Sequence, residues 1–589
     1  MRRAFALAAL LVGCAPGPSA TPNGRPAPKP PTDNVTRAAY AGSATCTPCH
    51  RDIAERFQRS PMHRMTRDAA RTDVSAPFSG ERFEFMGDSV RFEQRGGARF
   101  MRVVTRRDGE SLWRVTKVIG GRYREDFVGT RDGSEERVLP VSWLRFAKEW
   151  RYKGYSVMSP ERNALRVGAR WRTTCIFCHN TVTGLSSYYD ELYGDGAPKY
   201  QGAASVELPA ARLPRFEITD QSALRSAVAR ELAPLGVKDV SGDAKQVLEA
   251  AITFTRRRYG EKHLVELGIG CEACHGGAKA HAENPLAVRP TFAFESDFAR
   301  VTRADGKTPS TVDDENRTCR KCHTVLFTRY PYTWEGRQRH SHPGGSFINS
   351  GEARDLALGG CAGALACTRC HDPHGQDSKQ HLEALRGEEG RKLCTSCHRE
   401  LQSDAAVARH THHPVGSAGS SCLECHMPRK NMALDYRLSA YHRIGSPTDP
   451  ERLYQDRPIE CALCHADKSV RELARTLGRW YRKKVEWPRL RALYGDLSQS
   501  PITVSLARGK PHERAVAMVV SARDGNRAAL PLIAAELDDP YPLVRFFARD
   551  AIEKLTHDTL PLDPHLPGKE LRSRAEAWLT ERSPRAQSP

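Results

Sequence analysis

The chain has 589 residues, and 90 Lys and Arg against 70 Asp and Glu give a formal net charge of +20. That length allows two to four domains. A basic excess of this size is one signature of nucleic-acid binding, but an export-type start and a cysteine pattern given over to redox chemistry exclude nucleic acid as a partner.

In chain order, Met1-Arg2-Arg3 precedes an apolar run from Ala4 to Val12. A basic n-region and a short apolar h-region form an export signal, and the run is too short to span a bilayer. Leu11-Val12-Gly13-Cys14 looks like a bacterial lipobox. Residues 1–13 are then a lipoprotein signal peptide and Cys14 the lipidated first residue, the alternative being an ordinary cleaved signal with an incidental Cys. Ala15 rather than Asp follows, which resembles sorting to the outer membrane. Residues 14–40 carry Pro16, Pro18, Pro22, Pro26, Pro28, Pro30 and Pro31. They read as an extended tether of roughly 80 Å at about 3.1 Å per residue. The expected location is the periplasmic side, held to a membrane by lipid.

Residues 41–77 hold the first of eight Cys-x-x-Cys-His motifs, followed by Ser60-Pro-Met-His63. Residues 78–160 change character. Phe83, Phe85, Val90, Phe92, Phe100, Val103, Trp113, Val115 and Val118 recur in short alternating runs between Gly-rich turns, which predicts a small β-rich insertion. It has no Cys or His, so a structural role is expected. Residues 161–262 carry the second motif and an Ala- and Arg-rich helical stretch. Residues 263–470 carry six motifs; from Cys271 to His465 that is about 33 residues each, too dense for an ordinary apolar core. Linker helices are expected over 471–502. In 503–581, Leu530, Ile533 and Leu537 share one helical face. After Asp538-Asp-Pro-Tyr-Pro, Val544, Phe547, Ala548, Ala551, Ile552 and Leu555 share another, a HEAT-like pair or a generic helical cap. The expected fold is mainly α, with little regular structure around a multihaem core, a small β-region in the N-terminal half and a C-terminal α-helical HEAT-like segment.

The motifs are Cys46-x-x-Cys49-His50, Cys175-x-x-Cys178-His179, Cys271-x-x-Cys274-His275, Cys319-x-x-Cys322-His323, Cys367-x-x-Cys370-His371, Cys394-x-x-Cys397-His398, Cys422-x-x-Cys425-His426 and Cys461-x-x-Cys464-His465. Two thiols add to the haem vinyl groups as thioethers, and the adjacent imidazole becomes the proximal iron ligand. Random order would give on the order of 0.02 such motifs. Zinc ribbons do not require the His, and a disulfide scaffold would not keep the spacing. Eight haems c are expected. Their propionates add about −16 and their ferric centres about +8, so much of the Lys and Arg excess pairs with propionates. Cys361 is left over.

The sixth iron position decides between electron transfer and catalysis. Between Ala41 and Val470, eleven His lie outside the motifs: His63, His263, His281, His340, His342, His374, His381, His410, His412, His413 and His442. Demand is at most eight. His281 and His374 follow motifs closely and would ligate neighbouring haems. His410, His412 and His413 form a cluster that one iron cannot use whole. The supply permits eight bis-His haems; only His63 precedes His263, so if any iron is open it is expected at one of the first two haems. His512, His557 and His565 read as surface residues.

Gly268-Ile-Gly-Cys-Glu-Ala-Cys-His-Gly-Gly with His281, Cys367-Thr-Arg-Cys-His-Asp-Pro-His-Gly, and Cys422-Leu-Glu-Cys-His-Met-Pro-Arg between His410-Thr-His-His and His442 resemble multihaem cytochromes of the cytochrome c-552/4 type. Ser60-Pro-Met-His63 resembles a distal-ligand segment of that group, and the likeness spans roughly 41–470. The resemblance implies stacked, largely bis-His haems passing electrons in the periplasm, with distal roles for His63, His281, His374, His413 and His442. It implies distant kinship with hydroxylamine oxidoreductase, multihaem nitrite reductase and octahaem tetrathionate reductase. No Cys-x-x-Cys-Lys replaces a motif here, unlike the nitrite reductases.

The first expectation is therefore a lipid-anchored electron carrier between a membrane quinol oxidoreductase and a periplasmic or surface acceptor. The second is an oxidoreductase acting on a small nitrogen or sulfur oxyanion at one five-coordinate haem. The third is a scaffold whose HEAT-like end binds a partner.

Overall fold

The computed structural model describes residues 33–153, 158–194, 197, 213–323, 330, 351–433 and 435–582. The signal peptide, Cys14, most of the tether, His340 and His342 lie outside the described residues.

Eight strands form one antiparallel sheet: β1 (Thr66–Asp68), β2 (Arg82–Phe85), β3 (Asp88–Arg95), β4 (Ala98–Thr105), β5 (Gly109–Ile119), β6 (Arg124–Thr130), β7 (Arg137–Leu144) and β8 (Glu149–Tyr152). Neighbours in sequence from β2 to β8 are neighbours in the sheet, and β1 pairs with β5. The sheet curls until β2 nears β8, where the Phe85 and Tyr152 ring centroids lie 4.4 Å apart. Alternation produces the curl: every second side chain is large and apolar, so one face must turn inward to leave water. Inside, Phe92 stacks on Trp150 at 3.6 Å, and Phe78 sets its edge against Phe92, Phe127 and Trp150.

A second core lies beside this barrel-like sheet. The helices Gln221–Leu232 and Ala244–Arg258 bury Leu224, Val228, Leu248 and Ile252 against Trp171, Ile176, Leu185 and Tyr189. Asp220 and Asp243 cap the two helix starts through backbone N–H groups, supplying partners that the first turn lacks. Between 263 and 433 the regular elements are short, and buried apolar side chains are sparse among the described residues: Leu264, Leu356, Leu385 and Val407 are examples.

The C-terminal helices include Val470–Trp480, Pro501–Arg508, Pro511–Arg523, Pro542–Thr556 and Gly568–Arg582. Val516, Val520, Val544, Phe547, Ala551 and Ile552 are fully or almost fully buried between them. Their core is continuous with that of the sheet. Arg545 pairs with Glu161, Glu161 N–H donates to the Pro540 carbonyl at 2.8 Å, and Phe546 packs on Tyr436 at 3.7 Å. His565 and His512, expected at the surface, are instead 8% and 1% exposed. His565 fills the gap between helices and sheet, edge-on to Phe83 at 4.9 Å. Its apolar neighbours come from a segment some 480 residues earlier, which sequence spacing cannot reveal. His557 is exposed. Among the described residues no helix is long and apolar enough to cross a membrane.

Candidate haem sites

Each motif sits on a turn or a helix of four to ten residues, such as Cys271–His275 and Cys422–His426. One helical turn brings the second cysteine and the histidine to the same side as the first cysteine, as thioether attachment requires.

The third motif shows how the local sequence builds this. Glu272, within the motif and 2% exposed, accepts from the N–H groups of Ala41, Gly42 and Ala278 at 2.9, 2.7 and 2.8 Å. It thereby fastens the segment entering the first motif to the third. Gly268 has φ +80°, and a side-chain carbon there would lie 2.5 Å from the His63 carbonyl oxygen. Gly277 is equally closed, since a side-chain carbon would meet Ala39 at 2.5 Å. The glycines flanking this motif thus allow two backbones to pass at contact distance.

Sulfur contacts between motifs give their arrangement. These sulfurs are thiols here and stand for the thioether sulfurs of the haem-loaded protein, so the contacts report adjacency rather than a thiol bond. Cys46 contacts Cys271, Cys178 contacts Cys322, Cys319 contacts Cys367, and Cys394 contacts Cys422. Cys274 lies near Cys319, Cys370 near Cys394, and Cys425 near Cys461. The motifs therefore follow one another as first, third, fourth, fifth, sixth, seventh and eighth. The second branches off at the fourth.

Imidazole pairing is the central feature. His50 faces His281 with ring centroids 6.2 Å apart, His275 faces His374 at 6.1 Å, and His371 faces His442 at 6.2 Å. His426 faces His410 at 6.1 Å, and His465 faces His413 at 6.0 Å. Each pair joins one motif histidine to one outside the motifs, and none is used twice. Ring planes are inclined by 7° to 28°. A metal–imidazole bond of about 2.0 Å, with about 1.1 Å from nitrogen to ring centroid, would hold two imidazoles sharing one metal roughly 6.2 Å apart. Ordinary aromatic pairs scatter over about 4.5–7 Å. Five one-to-one pairs at one separation fit an iron between each.

The second nitrogens support this fit. Nδ1–H donates to a backbone carbonyl from His281 (Val288, 2.7 Å), His413 (Thr411, 2.6 Å), His442 (Ala440, 3.1 Å) and His426 (Gly445, 2.9 Å). An acceptor at Nδ1 fixes the tautomer that offers the Nε2 lone pair to a metal. His371 uses a carboxylate, Asp377, at 2.6 Å, while Glu352 lies 3.6 Å from His323 and Glu400 3.6 Å from His398. A carboxylate on Nδ1 strengthens an imidazole as a ligand and lowers the potential of the iron it binds. Haem c would supply reversible one-electron chemistry at these places, held by the paired cysteines and imidazoles.

His63 has the same ligand-like tautomer, with Nδ1 on the Ile269 carbonyl at 3.1 Å, but no imidazole faces it among the described residues. His410 was hidden in the 410–413 cluster. The structure separates the three: His410 and His413 face motif histidines, whereas His412 stacks on Trp480 at 4.3 Å. His263 accepts from the Gly260 N–H through Nδ1, so its proton is on Nε2 and it is not in ligand form. His381 turns Nε2 to the Cys370 carbonyl at 2.9 Å. Cys361 is half-buried near Cys397.

Of the first two motifs, where an open iron is expected if there is one, the first has a facing imidazole, because His281 folds back onto His50. Chain order hid this, as the donor comes from beyond the third motif. His179, His323 and His398 have no facing imidazole among the described residues. His179 is distinct in its surroundings. Burial, and then Lys153 nearby, push its imidazole down to about 4, leaving it neutral. Lys153 pairs with Asp126, which also bonds the Ser142 hydroxyl and lies 3.3 Å from Arg124. Burial raises Asp126, but Arg124 and Lys153 outweigh it and hold the carboxyl below its usual range.

A further buried cluster, Asp456, His512 and Glu513, has metal-ligand chemistry but not metal-ligand freedom. Lys430 and His512 occupy the two Asp456 oxygens. Arg457 and Lys510 occupy both oxygens of Glu513 at 2.7 to 3.1 Å. It is an ion-pair network joining the haem segment to the helices.

A family model described as a doubled CXXCH motif matches residues 361–403, which contain the fifth and sixth motifs. No curated protein and no solved structure matches the chain. The motifs indicate covalently bound haem c, and the match supports a multihaem c-type cytochrome.

Proposed function

We propose that the chain is an exported, lipid-anchored octahaem cytochrome of the cytochrome c-552/4 type. It passes electrons through bis-His haems between a membrane quinol oxidoreductase and a periplasmic or surface acceptor. The observation that carries this reading is the set of five imidazole pairs at 6.0–6.2 Å. Two imidazoles on one iron leave no site for substrate and suit rapid one-electron cycling. Haem quantitation with intact mass tests the count of eight, and low-temperature EPR of the oxidised protein tests the ligation. Mostly low-spin signals are expected. Mostly high-spin signals would sink the reading.

A second reading is an oxidoreductase acting on a small nitrogen or sulfur oxyanion at the haem of the second motif. It is favoured by the buried Asp126 and the half-buried Lys153 and Arg124 beside His179, where no imidazole faces that ligand among the described residues. A high-spin fraction that shifts on adding nitrite or hydroxylamine would favour it. An EPR spectrum indifferent to both would remove it.

A further inference from the structure

The helix Val470–Trp480 carries a stripe of positive charge. Arg471, Arg475 and Arg479 stand four residues apart on one face, and Arg482, Lys483 and Lys484 extend the charge into the following turn. All six are exposed, while Val470, Leu473, Ala474 and Leu477 bury the opposite face. Among the described residues none of the six is in an ion pair. Of the nearby acids, Glu472 bonds Ser469 at the helix start and Glu486 holds Arg489 at 3.0 Å, whereas Asp496 lies close enough to Arg471 to feel its charge, and Arg471 also lies over the Trp487 ring at 5.9 Å.

The same helix ends against the ligand segment of the last two motifs. Trp480 stacks on His412 at 4.3 Å and sets its edge to His413 at 6.0 Å. Tyr481 lies 6.1 Å from the His410 ring and donates to the His410 carbonyl at 3.1 Å. His410 and His413 face the seventh and eighth motif histidines, the end of the succession of motifs. Exposed positive charge thus borders the terminal redox positions through two aromatic rings.

We propose that this stripe docks an acidic one-electron carrier protein, an inference that rests on the electron-transfer reading above. The exchange moves one electron between a ferrous–ferric iron couple on this chain and the partner's own one-electron centre. No bond is made and no proton is required. A membrane surface fits less well, because a helix lying in an interface also exposes large apolar side chains. None of the large exposed ones lies on this helix or its turn.

The test uses the full haem-loaded chain, the variants R475E/R479E/K483E and R475Q/R479Q/K483Q, and an acidic plant-type [2Fe–2S] ferredoxin as probe. Calorimetry at low salt should give binding that weakens as salt is raised. The glutamine variant should be intermediate and the glutamate variant weaker by about tenfold or more, with haem spectra unchanged. Equal affinity in all three proteins overturns the proposal. So does a glutamate variant that loses binding to phosphatidylglycerol vesicles while keeping its affinity for ferredoxin, which would assign the stripe to a membrane. Reduction by methyl viologen radical, a small cation that needs no docking surface, is read in parallel. If wild-type haems resist it, the electron-transfer reading itself fails, whatever the binding result.

Discussion

Three histidines within four residues make opposite predictions. His410 and His413 face His426 and His465 at 6.1 and 6.0 Å, whereas His412 lies flat on Trp480 at 4.3 Å. Truncating a ligand to alanine removes the only strong-field donor on that side of the iron, so that haem becomes high-spin. With eight motifs in the chain, His410→Ala and His413→Ala should each convert about one-eighth of the oxidised haem to a high-spin EPR signal near g = 6. The double variant should convert about a quarter, since the two sites are separate irons. His412→Ala should convert none, and should cost only its contacts with Trp480 and Tyr481, about 0.5–1.5 kcal/mol. Added imidazole should enter the vacated position and restore low-spin signals in the first two variants. A high-spin signal from His412→Ala, or unchanged spectra in His410→Ala, would refute the pairing and the centroid argument behind it.

Three other outcomes are expected. Glu513→Gln leaves the buried Arg457 and the half-buried Lys510 without their counter-charge, so thermal or denaturant unfolding should show a loss of about 3–5 kcal/mol, and a loss under 1 kcal/mol would contradict the network. Burial, aided by the positive charges of Arg151, Arg545 and Arg549, pushes His565 from 6.5 down to about 2, so the unfolded chain binds its proton first. Stability should be complete above pH 6.5 and fall as pH drops below it, by up to about 1.4 kcal/mol per unit, with His565→Gln flattening that slope in denaturant titrations at pH 7, 6 and 5. Asp377→Asn weakens the charge on His371 Nδ1, so spectroelectrochemistry should show one haem rising in potential by on the order of tens of millivolts, and a fall would contradict the role given to the carboxylate.

The attachment chemistry was legible because it is local: five consecutive residues contain it, and no fold is needed to read them. His281, His374, His413 and His442, drawn from motif resemblance, all come to face motif histidines. Which motif each serves was not legible. His281 follows the third motif yet faces the first, and His374 follows the fifth yet faces the third. Pairing across segments depends on how backbones cross, and that rests on glycines such as Gly268 and Gly277, whose purpose appears only when the crossing segment is in place. His410 was obscured because three adjacent histidines look alike until a helix turn separates them. His512 and His565 were misread for a related reason: a lone histidine, on a helix as His512 is or in a turn as His565 is, gives no sign of distant aromatic or ionic partners.

The order of the motifs in space bears on how the two readings of function relate. Chain order runs from one to eight, but sulfur contacts run first, third, fourth and onward, with the second attached beside the fourth. A carrier needs only an unbranched series. A side branch adds nothing to conduction between two ends, and it costs a separate packing solution: the barrel-like sheet contributes Asp126 and Lys153 beside His179 and encloses it until its imidazole is neutral. The five imidazole pairs all belong to the unbranched series, at the first, third, fifth, seventh and eighth motifs. The two readings therefore concern different parts of one molecule. On the proposed reading, the unbranched series would deliver electrons to the branch, and the spin state of a haem at the second motif would decide whether the branch is a reservoir or a destination.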